Sequence, residues 1–169
     1  MKRSRKARAT VISSPREEPA DKAALEARAR VYGLTPEQAK DQRAGTAIGR
    51  LAITGRLTDE QYEGLRRLQD LHADYQSAIA APGQPKRPKE AAGTLDDDGH
   101  AEWCASVRRR YRDAMNDLTD AEAVGRKALR YAFTMWVLND TPDERCFAEL
   151  QMAANVLSTH FMRERKRAA

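Results

Sequence analysis

The sequence predicts an all-α protein, a multi-helix bundle preceded by a basic disordered arm, and three observations carry that expectation. Helix-start signals recur along the chain, at Thr35-Pro36-Glu37-Gln38, Thr58-Asp59-Glu60-Gln61 and Thr141-Pro142-Asp143-Glu144. Each sets a capping hydroxyl ahead of a helical first turn, and the first two place Gln where a capping box closes. Between the signals, apolar residues recur at helical spacing. No segment needs to be a strand.

The elements follow in order. Residues 1–20 lack apolar periodicity, hold Pro15 and Pro19, and read as a flexible arm. An N-terminal helical lobe is expected over 21–80. Its first helix is rich in strong helix formers from Lys22 to Tyr32 and is stopped by Gly33. The second should start at Thr35-Pro36 and run to about Thr54, ending at Gly55. Gly45 and Gly49 lie inside it and weaken it by roughly 1 kcal/mol each relative to Ala. Either a neighbour packs closely on that face, or the helix breaks near Gly45 into two short pieces. The third helix starts at Thr58 and carries Tyr62, Leu65, Leu68, Leu71 (or His72), Tyr75 and Ile79 as its stripe.

Residues 81–99, with three prolines, three glycines and Asp96-Asp97-Asp98, read as a linker or long loop. The acidic run also favours the start of the helix after it. A C-terminal three-helix antiparallel bundle is then expected over 100–169. Trp103, Val107, Tyr111, Ala114, Met115 and Leu118 stripe its first helix. Thr119 is expected to cap the second, whose face is Val124, Ala128, Leu129, Ala132, Phe133, Trp136 and Val137. The third starts at Thr141-Pro142 and repeats Phe147, Leu150, Ala154, Leu157 and Phe161. Short connections imply antiparallel neighbours.

The chain of 169 residues is 41% hydrophobic and 33% charged, enough for one domain or two small lobes. No apolar run reaches the ~18–20 residues of a membrane span, so no membrane partner is expected. The basic start is not followed by an apolar segment, which predicts a protein that stays in the cytoplasm. Cys104 and Cys146 are far apart and read as two reduced thiols. Of the net charge of +5, the first nine residues supply five positive charges and residues 163–169 a net three. The body between them is therefore about three charges negative, and the basicity belongs to the ends.

Three features invite a nucleic-acid reading. The arm residues Lys2, Arg3, Arg5, Lys6 and Arg8 can pair with phosphates and release counterions, although a solubilising tail looks the same. Arg108, Arg109 and Arg112 share the side of their helix away from Trp103 and Val107, while Arg110 falls nearer the apolar stripe. The commoner use of such a run is a solvated face pairing with Asp113, Asp117 or a neighbouring acid. Residues 35–57 would suit a helix-turn-helix if the chain breaks at Gly45, with Thr46 and Arg50 on the second helix. A single helix with a small-residue face explains the same residues.

Other chemistry finds less support. His100 and Cys104 have a legitimate metal-ligand spacing, but Cys146 and His160 make no second close pair, and a Cys packed beside Trp103 needs no metal. No cofactor is called for. No phosphate loop, nucleophile elbow or recognisable Cys–His pair is present, so a non-enzymatic role is expected.

The run from Val31-Tyr32-Gly33-Leu34-Thr35-Pro36-Glu37-Gln38 through Ala44-Gly45-Thr46-Ala47-Ile48-Gly49-Arg50-Leu51, continuing to about Tyr75, resembles a segment of small helical proteins encoded in bacterial prophages. The resemblance covers less than half the chain and carries over no functional residue. It implies a phage setting, in which small basic helical proteins regulate transcription or assist DNA packaging. The expectation is a nucleic-acid-associated regulator of transcription or another DNA transaction. The alternatives are a homo-oligomeric DNA-packaging subunit, joined through the Phe147–Phe161 stripe or the Gly45/Gly49 face, and an inhibitor or adaptor of a host protein such as the transcription machinery.

Overall fold

A computed structural model describes residues 20–80 and 97–168. The chain is all-α: among the described residues there is no strand. It forms two compact units that divide between Asp41 and Gln42.

In the first unit, α1 (Ala20–Tyr32) ends where the sequence signal places it. Gly33 takes φ +64°, a left-handed backbone that glycine adopts without a Cβ penalty, and the Leu34 N–H then turns back to the Ala29 carbonyl at 2.9 Å. The capping box of α2 (Pro36–Lys40) forms in full. Gln38 N–H donates to Thr35 Oγ1, and Thr35 N–H donates to Gln38 Oε1. Arg28 reaches the Ala39 carbonyl at 3.2 Å and ties the two helices together.

The second unit opens with a 3₁₀ turn at Gln42–Gly45 and α3 (Ala47–Ile53), capped by Thr46. The long helix expected over 36–54 is therefore interrupted twice, at Asp41 and at Thr46. The cause is visible at Gly49, where an added Cβ would sit 1.9 Å from the Arg43 carbonyl oxygen. The chain folds back over that glycine, whereas Gly45 has open space around it. α3 closes at Gly55 (φ +73°), with the Arg56 N–H bonded to the Leu51 carbonyl. A second full capping box at Thr58 and Gln61 starts α4 (Asp59–Ile79).

α5 (Asp97–Gly125) is longer than expected, and Thr119 does not cap anything. Thr119-x-x-Glu122 has the form of a capping box, but Leu118 is fully buried and Ala121 packs on the core, so the helix continues. The Thr119 hydroxyl instead donates to the Met115 carbonyl one turn back. The expected second helix shrinks to α6 (Leu129–Phe133) and a π turn over Thr134–Leu138. Glu122 receives both the Arg130 N–H (2.8 Å) and its guanidinium (2.6 Å), which fixes the start of α6. Val124, expected on the apolar face, is 89% exposed, and Ala128 is exposed as well. After a 3₁₀ turn at Glu144–Cys146, capped by Asp143 rather than Thr141, α7 (Phe147–Ala168) completes the chain.

Three long helices build the core. Gln61 bonds Asn155 and Gly64 abuts Ser158, so α4 and α7 run parallel. Arg108 meets Ala78, and Tyr111 meets both His72 and Tyr75, so α5 runs antiparallel to α4. α6 and the π turn pack against these three. Leu65, Leu68, Leu118, Leu129, Phe133, Leu150 and Leu157 are the largest fully buried side chains. The packing thus places α4 with the C-terminal helices, so the compact division does not follow the expected lobes 21–80 and 100–169. Ile79 also turns outward, and Ala78 takes the buried place at the end of the α4 stripe.

Two faces offered for self-association are used within the fold. The Phe147–Phe161 stripe lies on the core, and Gly49 is covered by its own chain. The rim is tied by Arg56, whose guanidinium pairs with both Glu144 oxygens (2.8 and 2.6 Å) and lies over the Phe147 ring at 4.0 Å. Asp140 (φ +49°) accepts the Ala47 N–H at 2.6 Å and caps α3 from a distant part of the chain.

Two measurements check this packing. Gly64→Ala would push a Cβ to 2.7 Å from the Ser158 backbone nitrogen, and is expected to cost about 1–3 kcal/mol in urea denaturation. Gly45→Ala is expected to be neutral or to stabilise by up to ~1 kcal/mol. The hydrogen bonds from Arg56 hold the Glu144 carboxyl below its usual range, against a smaller opposing effect of burial. Its folded pKa being depressed, the pair's contribution is complete above the unfolded carboxylate pKa and is lost as pH falls through the folded one. Glu144→Gln should therefore lower stability at neutral pH and leave it unchanged near pH ~3. The difference should stay under ~1 kcal/mol, since both partners are exposed.

Candidate nucleic-acid interface

The sequence-predicted cations separate into structural and free groups. Lys2, Arg3, Arg5, Lys6 and Arg8 lie outside the described residues. Arg50, expected to point outward from a recognition helix, is half-buried and folds back to donate to the Ala44 carbonyl at 3.3 Å. The helix that carries it is unsuited to a DNA groove. Of its seven residues, Ala47, Ile48, Gly49 and Leu51 are buried, which leaves no row of base-reading side chains. Residues 35–54 form two short helices and a 3₁₀ turn, with α2 and α3 in different compact units.

Arg108 is structural too. Its guanidinium donates to the Ala78 carbonyl at 2.8 Å, satisfying an otherwise open group at the end of α4. Arg109 and Arg112 differ: both are exposed and bond to no other described residue. Of the pairings expected of this run, those with Asp113 and Asp117 do not form, and one with a neighbouring acid does, through Arg110. Arg110, placed by the sequence along the apolar stripe, crosses instead to Glu164 on α7 at 2.6 Å.

That contact joins the two arginine-rich stretches. Because Arg110 meets Glu164 and Asp117 meets Arg163 (2.7 Å), α5 and α7 run antiparallel, and the basic end of α7 lies beside the middle of α5. Arg165, Lys166 and Arg167 are exposed and bond to no other described residue. Between the two helices lies a groove of about 420 Å³, lined by Arg110, Asp113, Asn116 and Asp117 on one side and His160, Arg163, Glu164 and Arg167 on the other. Arg109 and Arg112 stand on α5 one turn before Asp113 and Asn116.

Sequence reasoning missed Arg110, Arg163 and His160 as members of one site. The residues that join across it, Arg110 with Glu164 and Asp117 with Arg163, are about fifty apart in sequence. The signal that could have found them is the shared excess of arginine on two helices expected to be neighbours.

His100 Nε2 lies 3.6 Å from Cys104 Sγ, and its ring stacks on Trp103. Cys146 is buried against the Asp143 carbonyl, and burial pushes its thiol pKa up. Among the described residues no three His, Cys, Asp or Glu side chains gather as a metal site would require. No described helix is long and apolar enough to cross a membrane.

The structural and free arginines should respond differently to truncation. Arg108→Ala leaves the Ala78 carbonyl without its partner and is expected to cost about 1 kcal/mol. Arg109→Ala should change stability by less than ~0.5 kcal/mol in the same denaturation assay. A scan against protein-family models and searches of curated proteins and of solved structures each found no match.

Proposed function

We propose that this chain is a nucleic-acid-associated regulatory protein of the prophage type, which binds the phosphate backbone and carries out no chemistry on it. The observation that supports the reading is a set of unpaired cations on two neighbouring helices. Arg109 and Arg112 on α5 and Arg165, Lys166 and Arg167 near the end of α7 are exposed and have no partner among the described residues; Arg167 lines the α5–α7 groove, and Arg165 lines a separate groove between α4 and α7. Arginine bound within a protein fold contributes little to an external polyanion; arginine in open water is free to displace a counterion. The basic stretch Lys2–Arg8 adds five further charges of the same sign. Exposed Arg and Lys side chains are the usual partners of phosphate oxygens, so the groups suit backbone contact.

The affinity for a mixed-sequence DNA duplex should fall steeply with salt. If each of the five free cations of α5 and α7 meets a phosphate, these alone contribute a slope of log K against log salt of about −4 to −5, to which the Lys2–Arg8 stretch adds. That is two to three orders of magnitude between about 50 and 200 mM salt. The double variant Arg109→Ala/Arg112→Ala should reduce the slope by about two, uniformly across sequences. Arg50→Ala should leave sequence preference unaltered. An affinity indifferent to salt would defeat the reading.

A further inference from the structure

The α5–α7 groove holds one group that backbone attraction alone leaves unused. The His160 side chain is 14% exposed, and its Nδ1 lies 2.9 Å from Asp117 Oδ2. Arg163 reaches that same oxygen at 2.7 Å. A carboxylate oxygen only accepts, so Nδ1 carries the hydrogen, and Nε2 has no partner among the described residues.

The charges that face the imidazole nearly cancel. α5 presents Arg110, Asp113 and Asp117; α7 presents Arg163, Glu164 and Arg167. α4 meets this cluster only across the Arg110–Glu164 pair, where Arg67, Asp70 and Asp74 line an adjoining groove. Three arginines oppose three carboxylates, so the groove is neutral while His160 is neutral and carries one positive charge when it is protonated. Imidazole is the side chain whose charge ordinarily changes between pH 5 and 8. Protonation adds one positive charge to the groove, where Asp117 already serves two donors and Asp113 is the lining carboxylate engaged in no ion pair among the described residues.

We propose that this groove is a proton-coupled phosphate subsite. A nucleic-acid phosphate seats against His160 Nε2–H and Arg167, and its binding favours the protonated imidazole over the neutral one. The inference rests on the nucleic-acid reading above and adds to it a pH-dependent contact. Linkage makes the effect reciprocal. Whatever factor protonation adds to phosphate affinity, bound phosphate adds to the proton affinity of His160.

The test uses the full chain, with a mixed-sequence DNA duplex at fixed ionic strength, at about pH 8 and about pH 5.5. Wild type is compared with His160→Gln, which retains His72 and His100, so the difference isolates His160. Wild type should gain about fivefold more affinity on acidification than the variant, the effect of one unit charge ~4 Å from a phosphate in water. Asp117→Asn makes the groove positive without a proton and should bind more tightly than wild type already at pH ~8. In NMR titration, the His160 midpoint should move up when duplex is present.

Equal pH dependence in wild type and His160→Gln, or a midpoint unmoved by duplex, overturns the subsite while leaving backbone binding intact. If no duplex binds at either pH, the nucleic-acid reading fails instead. Inorganic phosphate then decides the subsite. A raised His160 midpoint in its presence keeps the groove as a site for free phosphate, and an unmoved one overturns it.

Discussion

The approach of α4 to α7 at Gly64 is the constraint on which the rest of the bundle depends. Only a residue without a side chain lets one helix backbone come against the Ser158–Leu157 backbone of the other. At that separation Leu65 and Leu68 reach across to Leu157 and Phe161 in one apolar seam, and Gln61 finds Asn155 one turn away. The parallel register of these two helices, fixed at one glycine, then determines where α5 can lie. α5 uses Val107, Ala114 and Leu118 to cover the seam, and its antiparallel course brings Arg110 to Glu164 and Asp117 to His160. The candidate site is thus a consequence of core packing several residues away.

Stability and register come from different interactions. Among the described residues every buried core side chain is apolar, and burying a leucine contributes roughly 1.5–3 kcal/mol. The ion pairs at the rim are exposed and worth far less each. Their geometry still matters, because Arg110–Glu164 and Lys127–Glu149 each join α7 to a different element, and Arg56, paired with Glu144 in the turn before α7, lies over the Phe147 ring at its start. A slip of α7 by one turn would keep most apolar contact but would break all three. Weak, directional pairs therefore select one alignment among several that the leucine seam alone would accept.

How far the sequence was legible follows from the range of the interaction involved. Thr35 and Thr58 cap through groups three residues away, and both were readable as capping boxes; Gly33 and Gly55 act on their own backbone. The stripes of α4 and α7 were also visible, since periodicity needs no partner. Thr119 misled because the same Thr-x-x-Glu spacing exists inside a continuing helix, where burial of Leu118 outweighs a local cap. Val124 fell off its stripe for the related reason that the helix ended at Gly125, four residues before Leu129 began the next. For the candidate site, the arginine-rich stretches could be read but not their division into bonded and free members. Arg108 and Arg109 are neighbours of identical chemistry. One closes a helix thirty residues away and the other has no partner among the described residues.

This division is what connects composition to function. A net charge of +5 on a chain with 25 acidic residues says little about where a polyanion would settle. The fold sorts the charges. On α4, Arg67 is bound to Glu63 and Arg66 lies within 3.9 Å of Asp70, while Asp117 and Glu164 draw in Arg163 and Arg110. Each such pair removes a cation from the competition for phosphate and also removes a carboxylate that would repel it. What remains unpaired on α5 and at the end of α7 is mostly positive, Arg109, Arg112, Arg165, Lys166 and Arg167 against groove-lining Asp113, although the body of the chain is not. A surface whose attraction arises as this remainder is sensitive to small changes in its parts, so a single imidazole in the groove carries weight that it would lack on a uniformly basic face.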